Sequence, residues 1–214
     1  MADTDFTVIR HGQTAENLKG ILQGHLNTPL DSVGRLQAFN VAERLADEKF
    51  DFIFCSDLLR VKETAAIIGE KLHLSPVFQP ELREWHLGEL EGQECSSLWE
   101  RYPEVMNAFK FDDGQDVQVP GGETKYQFFS RISGYLDFLA ENCSGKQILI
   151  ITHGGVMRAI FRHIAGSPRK GCMIPPTDNA SYSRFFRRGE YWQLSCWNDV
   201  SHLKNTPHRE SVTF

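Results

Sequence analysis

"TVIRHGQTAEN" (7–17) places a cation, a titratable ring and a glycine directly after a short apolar run. The run reads as a buried strand, "FTVIRH" (6–11). Turns that close such strands usually draw on Asn, Asp, Gly or Pro. Arg10 and His11 are neither turn formers nor core residues, so this strand end asks for a chemical explanation.

The same punctuation returns late in the chain. "KQILIITH" (146–153) is a strand ending on His153, and "GGVMRAIFRHIAG" (154–166) opens a helix on two glycines. Between them, "DSVGRLQAFNVAERLADEK" (31–49) reads as a helix with Leu36, Phe39, Val41 and Leu45 near one face, capped by Asp31 or Ser32. "FDFIFCS" (50–56) is a second strand and "LLRVKETAAIIGEKL" (58–72) a second amphipathic helix. "KYQFFSRISGYLDFLAEN" (125–142) is a further helix. "ASYSRFFRRGEYWQLSCWN" (180–198) alternates apolar and polar residues around Arg188-Gly189, the signature of a hairpin. Strands alternating with helices predict an α/β fold, a three-layer α/β/α sandwich with a mostly parallel sheet and an antiparallel edge. The stretch 93–124, with Pro103, Pro120 and several glycines, reads as a cap-like insertion of one short helix plus loop within one domain spanning 1–214.

The whole chain fits that frame. Its 214 residues suffice for one sizeable core, and 41% hydrophobic with 24% charged residues is an ordinary globular profile. No apolar run approaches the roughly 20 residues that span a bilayer, and no basic-then-apolar leader is visible at the N-terminus. A net charge of -5 argues against a nucleic-acid surface, yet it leaves room for a local cationic pocket. Five widely spaced cysteines (55, 95, 143, 172, 196) contain no C-x-x-C pair, so neither a zinc site nor a disulfide framework is expected. The expectation is reduced thiols in a cytoplasmic protein, with no membrane partner and an edge hairpin that offers a surface for a homodimer.

Ligands of open parallel sheets sit beyond the carboxyl ends of the strands. Arg10, His11 and His153 all stand there, and two adjacent strands would bring both histidines to one crevice. "CSDLLRVKET" (55–64) offers Arg60 on the first turn of its helix, which reaches the same crevice if the second strand neighbours the first. "LREWHLGELEG" (82–92) supplies Glu84, Glu89 and Glu91. Two histidines, two arginines and a carboxyl group suit phosphoryl transfer. Guanidinium forks hold a phosphate dianion, a neutral imidazole attacks phosphorus in line, and a carboxylic acid protonates the leaving alkoxide. A carboxylate beside bound phosphate gains proton affinity, because like charges disfavour ionisation. Arginines that neutralise the charge make a metal unnecessary.

The blocks "RHGQT" with Asn17, "QGHLNTPL", "SDLLRVKET", "LREWHLGELEG", "PGGET" and "ITHGG", in this order over nearly the whole chain, resemble the histidine phosphatase superfamily, also called phosphoglycerate-mutase-like. The resemblance implies His11 as the phosphorylated nucleophile, Arg10, Arg60 and His153 as the phosphate pocket, and Glu84 as proton donor. It implies Thr14, Asn17, Gln23, Gly24 and Gly154 as residues lining phosphate and substrate, with no metal and no cofactor. Gln13 stands where the family more often has Glu.

Plainer readings compete at several positions. Glu89 and Glu91 read as surface charges, Thr64 as helix packing, and His86 as a surface residue near the pocket. Trp99, Met106, Phe109 and Phe111 form either an apolar lid or the packing face of the inserted helix. His202, in "NDVSHL" (198–203), is a candidate for approaching the site, and His25, His73, His163 and His208 have no assigned role.

Three functions remain: a metal-independent phosphatase hydrolysing small phosphate monoesters through a phosphohistidine, a phosphoglycerate mutase, and a non-catalytic phosphate-binding module. Residues 93–119 carry six acids (Glu94, Glu100, Glu104, Asp112, Asp113, Asp116) against Arg101 and Lys110. That is a poor clamp for a highly anionic triose phosphate and favours the phosphatase, with a small phosphorylated metabolite as partner. All five catalytic positions hold competent residues, which disfavours the inert module. Sugar phosphates, phosphoserine and alpha-ribazole phosphate stay open as substrates.

Overall fold

The computed structural model describes residues 3–110, 116–166, 175–204 and 206. Phe111, Asp112, Asp113, Cys172 and His208 lie outside the described residues. In chain order the elements are β1 (Thr4–Arg10), α1 (Ala15–Lys19), α2 (Ser32–Leu45), β2 (Phe52–Cys55), α3 (Leu59–Leu72), β3 (Pro76–Phe78), α4 (Cys95–Leu98), α5 (Pro103–Lys110), α6 (Lys125–Asn142), β4 (Gln147–Thr152), α7 (Gly154–Ile164), β5 (Tyr182–Arg188) and β6 (Tyr191–Asp199).

The six strands form one sheet in the order β3-β2-β4-β1-β5-β6. β1, β4, β2 and β3 run parallel, with Arg10 opposite Thr152 and Cys55 opposite Ile151. β5 and β6 add the antiparallel edge. Strand alternation sorts side chains between two cores. Phe6, Val8, Ile148 and Ile150 face Phe128, Ile132, Leu136 and Met157 of α6 and α7. Ile9, Leu149 and Ile151 face Val41, Leu45, Val61 and Ile68 of α2 and α3. A sheet buried on both faces needs continuous apolar strands, which is why "QILIIT" carries no polar alternation.

Four sequence expectations are decided or changed by the structure. The buried face of α2 is Gly34, Gln37, Ala38, Val41, Ala42 and Leu45, whereas Leu36 and Phe39 are 46% and 53% exposed. Five residues separate Leu36 from Val41, which at 100° per residue puts them on different faces. Gln37 is buried because its Oε1 accepts the Gln13 N–H at 2.9 Å. Asp31, not Ser32, caps α2, accepting from the Gly34 N–H at 2.7 Å. Third, β2 neighbours β4 rather than β1, since β4 takes the slot between them. Fourth, α1 and the three-residue β3 have no counterpart in the sequence reading; both are too short to show a period.

Among its described residues the insertion holds two helices, α4 and α5. Leu98, Met106, Val117 and Val119 belong to the same core as α6 and α7, with Trp99 and Phe109 packed against it. The Trp85 and Phe109 rings lie 4.9 Å apart. These residues extend the core; the lid reading of Trp99, Met106 and Phe109 is not what their contacts describe. Among the described residues no helix is long and apolar enough to cross a membrane, and Cys55, Cys95, Cys143 and Cys196 are free thiols.

Candidate active site

β1 and β4 end side by side. The His11 N–H donates to the Thr152 carbonyl at 2.9 Å, which carries the ladder one residue past the strand. The His11 and His153 rings therefore meet edge to face, with centroids 5.3 Å apart. Both side chains are buried. His11 Nδ1 lies 2.7 Å from the Gly12 carbonyl, so Nδ1–H donates there and the lone pair sits on Nε2, which makes no hydrogen bond among the described residues. The His11 carbonyl accepts from the Ala180 N–H and from Asn179 Nδ2. The ring is thus carried on a backbone fixed from three sides.

Gly12 is required here. A Cβ on it would lie 2.2 Å from the Gly34 carbonyl oxygen at the start of α2. Its N–H donates to Thr64 Oγ1 at 3.2 Å, and that hydroxyl donates to the Arg60 carbonyl at 2.8 Å. Thr64 accordingly ties the loop that follows His11 to the helix that carries Arg60, and is more than helix packing.

Arg60 reaches the crevice although its strand is one slot further away than expected. It is 1% exposed, donating to the Leu26 and Gly24 carbonyls at 2.8 and 2.9 Å. Gly24 thus enters as a carbonyl that aims Arg60, and the neighbouring Gln23 accepts from the Thr28 hydroxyl. Arg10 donates to the Thr177 carbonyl, and its Cζ lies 3.3 Å from where a Cβ on Gly154 would be. Gly154 is what lets that guanidinium lie against the start of α7. Thr14 caps α1 in a capping box with Asn17, and Asn17 Oδ1 also accepts from Asn179 Nδ2. These two residues join the site through Asn179 and the His11 carbonyl.

Glu84 completes the ring of groups. Its Oε2 accepts the Gly155 N–H at 2.9 Å and its Oε1 the Trp85 N–H at 2.9 Å. Glu89 is exposed, as expected of a surface charge. Glu91 is not: its carboxylate is largely buried and accepts from the backbone N–H groups of His25 and Leu87. It is a brace for the loops around the site.

Electrostatics follow from packing cations without water. Burial, then Arg60 and Arg10, hold the His11 ring well below its ordinary value of 6.5, against the Gly12 hydrogen bond. Burial, then Arg60, His11 and Arg10, do the same to His153. Burial also lowers Arg10 and Arg60 to about 10, with Glu84 opposing, so both stay charged at neutral pH. Two neutral imidazoles beside buried Arg60 and half-buried Arg10 make a pocket built for an anion. His153 Nε2 pairs with Ser56 Oγ at 2.8 Å, while its buried Nδ1 has no partner among the described residues.

The model of the histidine phosphatase superfamily (branch 1) matches residues 6–200. The chain belongs to the histidine phosphatase superfamily. A metal-independent phosphoserine phosphatase of Arabidopsis thaliana is 35% identical over 205 residues, covering 94% of this chain and 84% of the relative. Phosphoglycerate mutase-like protein 4 of the same plant is 38% identical over 213 residues, covering 97% and 90%. The solved mycobacterial glucosyl-3-phosphoglycerate phosphatase superposes with a TM-score of 0.78 at 28% identity, covering 92% of this chain and 99% of that one.

Around this histidine phosphatase site stand residues that sequence reasoning missed. Arg131 donates to the carbonyls of Glu81, Arg83 and Glu84 and pairs with Glu123 at 2.7 Å. Glu123, from "PGGET", also accepts the His86 N–H, and its own carbonyl accepts from Trp85 Nε1. His25 Nε2 donates to the Glu84 carbonyl at 2.8 Å and its ring stacks on His86 at 4.6 Å. His202 packs against Arg44 and donates to the Ala180 carbonyl, one residue behind the His11 backbone rather than in the crevice. Asn179 and Thr177 act through geometry alone and carry no motif of their own, and Ser56 opens the "SDLLRVKET" block without a pattern that gives it a role.

Proposed function

We propose that this histidine phosphatase hydrolyses small phosphate monoesters through a phosphohistidine on His11. One observation carries the reading: His11 is neutral, its Nδ1–H is fixed to the Gly12 carbonyl, and its Nε2 lone pair lies in a pocket flanked by Arg10, Arg60 and His153. In the first half-reaction Nε2 attacks phosphorus and the ester oxygen leaves on the opposite side. The guanidinium forks neutralise the charge spread over the equatorial oxygens, and the neutral His153 ring lines the pocket beside them. Glu84 gives the leaving alkoxide its proton. In the second half-reaction water loses a proton to Glu84 and attacks the phosphohistidine, releasing inorganic phosphate and restoring both groups. The chemistry needs neither metal nor organic cofactor.

The relatives named for phosphoserine and glucosyl-3-phosphoglycerate hydrolysis support a phosphatase of this kind. A second reading, phosphoryl transfer within a phosphoglycerate, is favoured by the relative named as mutase-like. Against it, the described acids of the insertion, Glu94, Glu100, Glu104 and Asp116, are exposed, and Arg101 is engaged with Gln93. Rapid quenching after mixing with a reactive aryl phosphate should trap an acid-labile, base-stable phosphoryl group on His11, absent from His11→Ala. No adduct under single-turnover conditions would overturn the mechanism. Incubation with 3-phosphoglycerate, with and without bisphosphoglycerate, should give free phosphate; an isomerised ester would establish the mutase. Turnover should persist in excess EDTA.

A further inference from the structure

β2 and β4 are neighbours, and their ladder runs one residue past the end of β2. The Ser56 N–H donates to the Ile151 carbonyl at 3.2 Å, as the His11 N–H does to Thr152 on the other side of β4. Ser56 is thereby set beside His153. Its Oγ lies 2.8 Å from His153 Nε2, and both residues are fully buried. The mechanism above gives Ser56 no part.

The His153 ring is neutral, so it carries one proton and has two nitrogens to put it on. The hydrogen bonds of Ser56 decide between them. The Leu58 N–H donates to Ser56 Oγ at 3.3 Å, so the hydroxyl already serves as an acceptor there. Its own proton still needs an acceptor, because a buried hydroxyl that donates to nothing is costly. Among the described residues the acceptor within reach is His153 Nε2. The hydroxyl donates to it, which requires the lone pair on Nε2 and puts the ring proton on Nδ1. A second observation agrees. His153 is the N-cap residue of α7, yet its side chain accepts no N–H of the first turn. A lone pair on Nδ1 could cap the helix; an Nδ1–H cannot. Nδ1 is fully buried and makes no hydrogen bond among the described residues. A buried donor left open in the folded protein calls for an acceptor that arrives with the substrate.

We propose that Ser56 is a positioning residue, whose hydroxyl fixes the His153 tautomer so that the ring presents Nδ1–H, not a lone pair, to a phosphoryl oxygen. The ring has two polar atoms. Ser56 takes one, and what His153 gives the substrate comes from the other. The opposite tautomer would turn a lone pair toward an anion. The His153 ring packs edge to face on the His11 ring at 5.3 Å, so the acceptor that reaches it is the phosphoryl group bound for His11. The inference rests on the phosphatase reading and adds the residue that keeps His153 in its working form.

The test reads the tautomer by nuclear magnetic resonance, in protein isotopically labelled at its histidine nitrogens. The protonated and bare nitrogens of a neutral imidazole resonate far apart, and His153→Gln assigns the signals. Near neutral pH the wild-type protein should show His153 in the Nδ1–H form. An Nε2–H form or an imidazolium would overturn the inference. Saturating inorganic phosphate should shift the Nδ1 proton signal; an unmoved signal would remove the contact with phosphate and the inference with it. Neither spectrum needs turnover, so both can succeed where the phosphatase reading fails, and the reverse. Ser56→Ala should move His153 toward the Nε2–H form, and an unchanged tautomer in that variant would take Ser56 out of the role. Its kcat/KM should fall roughly tenfold to a hundredfold, as expected of one misplaced hydrogen bond to a charged group. The loss should be equal for alkyl and aryl phosphates, because both present the same phosphoryl group. A larger loss for alkyl esters would place the effect on Glu84 instead, and an unchanged rate would show that the tautomer does not bear on the reaction; either result counts against the inference. Thermal melts check that Ser56→Ala is folded, and if it is not, the two wild-type spectra decide.

Discussion

The His11 and His153 rings lie edge to face, 5.3 Å apart at 64°, at the ends of two adjacent parallel strands. Both are held neutral, first by burial and then by the arginines around them. Unfolding returns each ring to its ordinary value of 6.5, so below that pH the unfolded chain binds more protons than the folded one. The stability these neutral rings allow is fully present above pH 6.5 and is lost as pH falls below it. Each proton contributes a slope of about 1.4 kcal/mol per pH unit. Half-buried His25 and His202 shift the same way and add to it. Urea melts between pH 7.5 and 5 should show this decline, and His153→Gln should reduce the slope by about one proton. An identical slope in that variant would mean that His153 is already charged in the folded protein.

In the proposed mechanism Glu84 supplies a proton, and both its oxygens are turned to backbone donors of α7 and of its own loop. Glu84→Gln keeps the shape and removes the acid. Turnover of alkyl phosphates should fall about 10²- to 10⁴-fold. An aryl phosphate, whose phenolate leaves with little protonation, should lose much less. Equal losses would take Glu84 out of the proton-donor role.

What the sequence discloses and what it hides have physical causes. Arg10, His11 and His153 are legible because a cation or a ring at the end of an apolar strand breaks the local rules of burial and turn formation. The glycines at 12, 154 and 155 are legible for the same reason, and the structure fills the space beside each with Gly34, Arg10 and Glu84. Long helices with clear periods, such as α6, are legible to the residue. The outward Leu36 and Phe39 mislead because apolar content alone does not give the angle around a helix. Glu91 and Arg131 hide because each acts through partners distant in sequence, and a single charged residue on a helix or turn has no pattern of its own.

Gly155→Ala should separate stability from activity. An Ala Cβ at this position would lie 2.2 Å from Glu84 Oε1, the mobile end of a flexible side chain. Glu84 must swing away, while the helix gains about 0.5–1 kcal/mol from losing a glycine. The expected variant is as stable as the parent or more so, with alkyl phosphate turnover reduced at least tenfold and aryl phosphate turnover less affected. A variant that keeps full alkyl activity would show that Glu84 functions from a different position.

Arg131 bears on Glu84 from behind. Its guanidinium holds three acceptors of the loop, the carbonyls of Glu81, Arg83 and Glu84, and closes on Glu123, whose own backbone and side chain hold Trp85 and His86. The pair is about one-fifth exposed on each side, so its loss falls between a surface and a fully buried ion pair, about 2 kcal/mol. Arg131→Met should lower the melting temperature and also kcat. If the clamp positions the proton donor, the kcat loss will be larger for alkyl than for aryl esters, matching Glu84→Gln in kind, and KM will change little. Arg131→Lys can keep the Glu123 pair but not all three carbonyls, so it should recover stability more than activity. Equal losses for the two ester types would leave Arg131 a purely structural residue.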